Sequence, residues 1–179
     1  MSKFHVVSSR VNENIKKPIR STVASAGYDF FAAEEKVIPS YIKQIINHNN
    51  LTKEELHTLY SLTDHAALIK KLNLKPILVP TGIKAELENN QVLQIFSRSS
   101  VATKNLMMLA NSTGIIDSDY YENVDNEGEI MVPFINLSPF DVVIHKDDKI
   151  AQGIISNFIT VDDDETSGER IGGFGSTGK

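Results

Sequence analysis

The sequence predicts a mainly β fold with one helical interruption. Short segments rich in β-branched and aromatic residues recur before residue 41 and again after Pro76. Between them, residues 41–74 contain no Gly or Pro and are rich in Leu, Lys, Glu and His. The close spacing of the strand-like segments is typical of a sandwich or barrel rather than of alternating βα units.

Nine segments have the composition of strands: residues 4–7, 28–33, 36–38, 77–87, 91–96, 106–110, 129–136, 140–144 and 150–158. Glu88, Asn89 and Asn90 separate the fourth segment from the fifth, and Asn tolerates the positive φ of a tight turn. We therefore expect residues 77–87 and 91–96 to form a β-hairpin.

The stretch 41–74 predicts a small αα-hairpin inserted into the β domain. Thr52 followed by Glu55 fits a capping box, in which each side chain satisfies a free backbone N–H at a helix start. The apolar residues that follow lie on one helical face, and a second helix could begin at Asp64. The insert is either a decoration that packs on its own β domain or a surface that binds another protein.

Composition narrows the classes of function. The chain has 179 residues, which suits one domain with a core, and 41% of them are hydrophobic. The absence of cysteine excludes disulfides, thiolate metal sites and thiol catalysis. A net charge of −5 with scattered basic residues argues against a nucleic-acid partner. No apolar run is long enough to span a membrane, and without a secretion signal we expect a cytoplasmic protein.

The Gly-rich tail, residues 172–178, has the composition of a lid over a nucleotide. Successive glycines let backbone N–H groups converge on phosphate oxygens, and Ser176 and Thr177 add hydroxyl donors. Phe174 could stack on a base. Residues 173–179 also match the start of a P-loop, but an acidic segment precedes them instead of a buried strand. A disordered Gly/Ser tail is the ordinary alternative.

Three further segments concentrate polar side chains. Asp29 opens an apolar stretch, Arg98 stands among serines, and Asp117 precedes Tyr120 by three residues. A guanidinium beside hydroxyls suits bidentate phosphate binding. Taken singly, Asp29 could be a turn residue, Arg98 a surface ion pair and Asp117 a strand-end cap.

Taken together, these segments make the chain resemble the trimeric dUTPase family. Five motifs stand in the family's order: Ala-Gly-Tyr-Asp at 26–29, Arg-Ser-Ser at 98–100, Gly-Ile-Ile-Asp-Ser-Asp-Tyr at 114–120, Ile-Ala-Gln at 150–152 and Gly-Gly-Phe-Gly-Ser-Thr-Gly at 172–178. The resemblance leaves residues 41–74 unexplained, although helical inserts occur in the phage and Gram-positive members of the family.

The resemblance implies a jelly-roll-like (β-clip) fold, a homotrimer and the hydrolysis of dUTP to dUMP and pyrophosphate. That activity keeps uracil out of DNA and supplies dUMP for dTMP synthesis. Residues 1–168 would form the β domain, and residues 169–179 an arm that closes over a neighbouring subunit's site. Mg²⁺, held mainly by the substrate's phosphates, would relieve charge on the leaving group.

The resemblance also implies roles on the nucleoside side of the site. Asp117 would orient the attacking water as general base and contact the sugar 3′-hydroxyl. Tyr120 would pack under the deoxyribose and exclude a 2′-hydroxyl. Asn111 would help to read the uracil edge, and Gly114 and Ile116 would line the nucleotide.

On the phosphate side, the implied ligands are Arg98, Ser99, Ser100 and Gln152. Asp29 would touch the metal-bound phosphates through water. From the arm, Phe174 would stack on uracil, and the terminal phosphates would be gripped by Arg170, Gly175, Ser176 and Thr177.

Two features depart from the family pattern. Residues 121–128 lengthen the turn after Tyr120, and Arg170 precedes Phe174 by four residues where five are usual. Two other functions compete with dUTP hydrolysis. A dCTP deaminase, or a bifunctional relative, would need a Glu at position 133, where the chain has Pro133. A regulatory protein-binding module would use residues 41–74.

Overall fold

The structure is a computed structural model that describes residues 1–47, 54, 74–168, 170 and 172. Within these residues the strands are β1 Lys3–Val6, β2 Ile19–Arg20, β3 Tyr28–Phe31, β4 Lys36–Ile38, β5 Ile77–Pro80, β6 Ile83–Glu86, β7 Gln91–Ser97, β8 Met107–Leu109, β9 Gly114–Asp117, β10 Met131–Asn136, β11 Val142–Ile144 and β12 Lys149–Asn157. The helices are α1 Tyr41–Asn47 and α2 Ser99–Asn105, with 3-10 turns at Ser8–Arg10 and Ser118–Tyr120. The predicted mainly β fold is confirmed.

The strands form small antiparallel sheets in which neighbours are mostly distant in sequence. A five-stranded sheet has the order β2-β3-β12-β7-β9, and a three-stranded sheet has the order β5-β10-β8. Two-stranded sheets pair β1 with β6 and β4 with β11. The chain therefore crosses repeatedly between sheets, as in the jelly-roll-like arrangement that the family resemblance implied.

The predicted hairpin between residues 77–87 and 91–96 is wrong. The first segment breaks at Gly82, whose φ is +68°, so that β5 pairs with β10 and β6 pairs with β1. The turn at 88–90 does form, and the amide of Gln91 donates to Glu88 O at 2.9 Å. It joins strands of different sheets, because β7 pairs with β12 and β9. The residues of a turn determine its local geometry, whereas the partner of each flanking strand depends on contacts elsewhere in the chain.

The core lies between the sheets and is built from fully buried side chains such as Phe30, Leu93 and Phe134. Burial of each such side chain stabilises the fold by about 2–3 kcal/mol. Gly153 in β12 lets Phe30 and Leu93 approach the strand. A Cβ at position 153 would lie 2.5 Å from Phe30 Cε2 and 2.9 Å from Leu93 Cδ1. A central strand of the largest sheet thus requires glycine at this position.

The helical predictions are only partly covered by the described residues. Helix α1 begins where the insert was expected to begin, and Glu54 is helical. The remainder of the proposed αα-hairpin, including its capping box, lies outside the described residues. Helix α2, directly after Arg98, was not predicted. No helix in the described part of the chain is long and apolar enough to cross a membrane.

Candidate functional site

A cationic cluster forms around Asp29, which is 1% exposed. Asp29 in β3 lies opposite Gln152 in β12, and Gln152 Nε2 donates to its Oδ1 at 3.1 Å. Lys149 Nζ and Ser21 Oγ each donate to Oδ2 at 2.8 Å. Arg98 Nε lies 3.2 Å from Oδ1. The structure therefore brings together Asp29, Arg98 and Gln152, three of the residues that the sequence selected.

The electrostatics of this cluster suit an anion. Burial alone would raise the pKa of Asp29, but hydrogen bonds from Lys149, Ser21 and Gln152 and the charge of Arg98 outweigh it and lower the pKa to about 2. Asp29 is therefore a carboxylate at neutral pH. One buried carboxylate faces two partly exposed cations, so the cluster carries an excess positive charge that can attract phosphate.

A cleft of about 490 Å³ borders this cluster and has the size of a small-ligand site. Arg98, Ser100 and Lys149 line it, together with Lys104 and two aspartates, Asp147 and Asp148. Ser100 belongs to the first turn of α2, where the predicted phosphate ligand Ser99 is exposed at the first position. The turn of chain from β7 into α2 thus presents the Arg-Ser-Ser motif to one cleft.

A second cluster surrounds Asp117, the last residue of β9. Arg170 reaches two carboxylates, with Nη2 2.7 Å from Asp117 Oδ2 and Nε 2.8 Å from Asp119 Oδ1. The guanidinium also lies 5.7 Å from the centre of the Tyr120 ring. Asp117 and Tyr120 are therefore neighbours, as predicted, and Arg170 of the same chain joins them.

Tyr120 is held at both ends. Its ring belongs to the hydrophobic core cluster, and its hydroxyl donates to Glu129 O at 3.1 Å. Asn126 Nδ2 donates to the same hydroxyl at 3.0 Å. Burial raises the pKa of Tyr120, so the phenol is protonated at neutral pH. Tyr120 therefore serves as a fixed apolar surface with a neutral hydroxyl.

The other predicted nucleoside contacts lie along β9. Asn111 is exposed in the loop that precedes this strand, and Gly114 is its first residue. Asn111 Nδ2 lies 3.6 Å from the position of a Cβ on Gly114, which brings the two residues together. The Ile116 side chain is buried in the core. Any contact of Ile116 with a nucleotide would therefore use its backbone.

The two clusters lie at opposite ends of β7. Asp117 is paired with Val92, whereas Gln152 is paired with Phe96 on the other side of the strand. At about 3.4 Å per residue, these positions are roughly 14 Å apart along β7. The chain itself thus separates the predicted general base from the predicted phosphate ligands.

The described residues offer no cage for a metal ion. No group of three or more His, Asp or Glu side chains among them could hold one. Two donors or cations already engage each oxygen of Asp29. These residues fit a magnesium ion that takes its ligands from phosphates and water. They do not offer Asp29 as a free contact for metal-bound water.

Four arm residues lie outside the described residues: Phe174, Gly175, Ser176 and Thr177. Sequence reasoning missed four others that contact the clusters: Ser21, Lys149, Asp119 and Asn126. Lys149 stands directly before the Ile-Ala-Gln motif, and that adjacency was an available signal. Nothing in the sequence signals the contact of Ser21 with Asp29.

Comparison with known proteins gives one consistent answer. The dUTPase family model matches residues 58–178. The deoxyuridine 5'-triphosphate nucleotidohydrolase of Lactococcus lactis subsp. lactis (strain IL1403) is 37% identical over 178 residues, which cover 98% of this chain and 96% of that protein. Its counterpart from a Wolbachia strain of Drosophila simulans is 34% identical, with 99% of this chain and 98% of that protein covered.

Solved structures agree with the sequence relatives. The dUTPase from Streptococcus mutans superposes with a TM-score of 0.67 at 30% identity, covering 89% of this chain and 98% of that one. A variant of the Staphylococcus bacteriophage 80alpha dUTPase with dUpNHpp shares the fold, with a TM-score of 0.60 at 19% identity over 100% of this chain and 99% of that one. On its motifs, its fold and its relatives, the chain belongs to the dUTPase family.

Proposed function

We propose that this dUTPase-family chain hydrolyses dUTP to dUMP and pyrophosphate at sites completed by a second copy of itself. The observation that supports this most strongly is the division of the family-motif residues between two clusters. Asp117 and Tyr120 stand at one end of β7, and the cations beside Asp29 stand at the other. A second copy can bring the first cluster of one chain to the second cluster of another.

The cluster at Asp117 would position the water that acts as the nucleophile. Asp117 is half exposed, and it can accept a hydrogen bond from a water aimed at the α-phosphorus. A carboxylate is a weak base, so positioning of the water contributes more than basicity. Tyr120 presents its ring beside this carboxylate, where it would pack under the deoxyribose and leave no room for a 2′-hydroxyl.

The cluster at Asp29 would bind the phosphates of the substrate. Arg98, Lys149 and Gln152 would hold the phosphate oxygens, with Ser99 and Ser100 at the entry to α2. Asp29 would position these donors by binding Arg98, Lys149 and Gln152 at once. Mg²⁺ bridging the phosphates would neutralise charge that develops on the pyrophosphate. The chain's own contribution is to orient the phosphates beside that ion.

A partly exposed apolar sheet face supports association with another copy, as in the proposed homotrimer. In β5-β10-β8, Leu78 pairs with Pro133 and Met108 pairs with Ile135, so these four side chains share one face. Leu78 is 43% exposed and Met108 is 42% exposed. The opposite face lies in the core, so both faces of this sheet are apolar. An antiparallel sheet that faces water usually carries polar residues there, so a second copy is the proposed cover.

The chain beyond β12 fits an arm, and Arg170 in it reaches Asp117 of the same chain. Phe158, Ile159 and Val161 follow the strand and are all exposed. We propose that residues 1–168 form the β domain and that residues 169–179 close over a site. In that arm, Arg170, Ser176 and Thr177 would contact phosphates and Phe174 would stack on uracil.

Product analysis tests the proposed reaction directly. The chain is incubated with dUTP, dCTP, dTTP and UTP side by side, and pyrophosphate and ammonia are measured. We expect pyrophosphate from dUTP alone. Ammonia from dCTP would contradict the account, because Pro133 in β10 has no proton to transfer.

A further inference from the structure

The lengthened turn at residues 121–128 is a hydrogen-bonded cap on Tyr120. Asn123 Nδ2 donates to the backbone carbonyl of Tyr120 at 2.9 Å. Asn126 Nδ2 donates to the Tyr120 hydroxyl at 3.0 Å, and that hydroxyl donates to Glu129 O at 3.1 Å. One turn thus holds both the backbone and the distal end of the tyrosine.

The turn itself is rigidly built. Asn126 Oδ1 accepts from Asn123 Nδ2 at 2.9 Å and from the amide of Gly128 at 3.1 Å. Gly128 has φ +83°, and a Cβ there would lie 2.5 Å from Tyr120 O, so only glycine fits. The two ends are tied by the amide of Glu122, which donates to Glu127 O at 3.1 Å.

Side chains of the turn anchor it to the β domain. Glu127 accepts from the amide of Ser8 at 2.7 Å, and Glu122 pairs with Lys84 at 2.5 Å. Lys84 is buried, and these carboxylates neutralise it. The position of Asn126 is therefore fixed relative to the sheets and not only relative to Tyr120.

We propose that Asn126 is a positioning residue that sets the discrimination between deoxyribose and ribose by holding the Tyr120 ring in place. The inference rests on the sugar-facing role proposed for Tyr120. A ring that is fixed only through its Cβ can tilt, and a tilt would open space for a 2′-hydroxyl. The hydrogen bond from Asn126 restrains the hydroxyl end of the ring. Arg170 lies over the ring and pairs with Asp117, so the face of the ring under Arg170 is the face turned toward the site.

Two substitutions separate the contact with Tyr120 from the integrity of the turn. Asn126→Ala removes the whole amide. Asn126→Asp keeps an oxygen to accept from Asn123 and Gly128 and puts an acceptor where Nδ2 donated, so the tyrosine hydroxyl can still bond this residue by donating to it. Val124→Ala is the matched control, because Val124 is in the same turn and 85% exposed. Thermal unfolding at one protein concentration verifies that each variant is folded.

The readout is kcat/KM for dUTP and for UTP. We expect Asn126→Ala to raise the UTP/dUTP ratio by roughly fivefold to tenfold, the effect of losing one restraining hydrogen bond. Asn126→Asp should raise it less, because its carboxylate can accept from the tyrosine hydroxyl. Val124→Ala should keep the wild-type ratio. In a Tyr120→Phe background, which lacks the hydroxyl, Asn126→Ala should change the ratio no further.

An unchanged ratio in a folded Asn126→Ala variant would overturn the proposal, and so would equal losses of kcat/KM for both nucleotides. Tyr120→Ala separates this failure from that of the underlying function. If Tyr120→Ala also leaves the ratio unchanged, Tyr120 does not face the sugar. If Tyr120→Ala raises the ratio and the Asn126 variants do not, only the role of Asn126 is wrong.

Discussion

Arg170 Nη2 lies 2.7 Å from Oδ2 of Asp117, the residue that we propose as the general base. The same guanidinium reaches Asp119 and covers the ring of Tyr120. One cation therefore links three neighbouring side chains of the nucleoside side. Phosphate oxygens can compete with these carboxylates for Arg170, because a phosphate and a carboxylate each present two acceptor oxygens to the planar guanidinium.

Asp117→Asn should abolish turnover and preserve binding. The amide keeps the shape of the pocket but cannot accept the proton of the attacking water, and a general base contributes about 10²–10⁴-fold. Steady-state kinetics with dUTP and calorimetric binding of dUpNHpp measure the two effects. Asp119→Asn is the matched control, because Asp119 also pairs with Arg170, and it should keep turnover within about threefold. Wild-type turnover in Asp117→Asn would refute the assignment.

Truncation before Gly172 should slow the reaction while the β domain stays folded. The deletion removes the glycines, the hydroxyls and Phe174 but leaves Arg170 in place. Loss of preorganised phosphate donors costs about 2–4 kcal/mol of barrier, or roughly 30-fold to 900-fold in kcat. Single-turnover kinetics at saturating dUTP measure it. Full activity of the truncated chain would show that the lid has no part in the mechanism.

Asp29→Asn should destabilise the fold by about 3 kcal/mol, because it leaves Arg98 and Lys149 without their buried counter-charge. The pKa of Asp29 falls from 3.8 to about 2 in the folded chain. Its stabilisation is therefore complete above pH 3.8 and is lost as the pH falls through 2. Urea unfolding at fixed protein concentration should show a difference from wild type that is constant above pH 5 and shrinks below pH 4.

The control for this prediction is Glu35→Gln. Glu35 pairs with His145 at the surface, with both side chains more than 60% exposed, so the substitution should change stability by less than about 1 kcal/mol. Equal effects of Asp29→Asn and Glu35→Gln would show that the buried cluster contributes no more than a surface pair.

Gly153→Ala should destabilise the central sheet by about 1–3 kcal/mol through overpacking. The added methyl would overlap Phe30 and Leu93. Gly168→Ala is the control, because no atom lies within 4 Å of its Cβ position. Equal unfolding midpoints for the two variants would show that β12 can move away from the core.

Much of the site was predictable because its groups stand in short motifs. The three-residue spacing of Asp117 and Tyr120 keeps them together on one strand end, whatever the rest of the chain does. Other features depend on tertiary contacts, which no local sequence pattern predicts. The pairing of β6 with β1 joins segments about 80 residues apart, and Asn126 finds the Tyr120 hydroxyl only because the turn folds back.

Subunit complementation tests whether the site is divided along β7 between two chains. Arg98→Ala and Asp117→Asn chains, each inactive alone, are co-expressed with different tags, and mixed oligomers are purified. If each site combines Asp117 of one chain with Arg98 of another, one of the three sites in each mixed trimer is intact, or about a third of the sites. We predict recovery of dUTP hydrolysis to roughly that fraction of wild type. Mixed oligomers as inactive as either parent would show that each site lies within a single chain and would contradict the account.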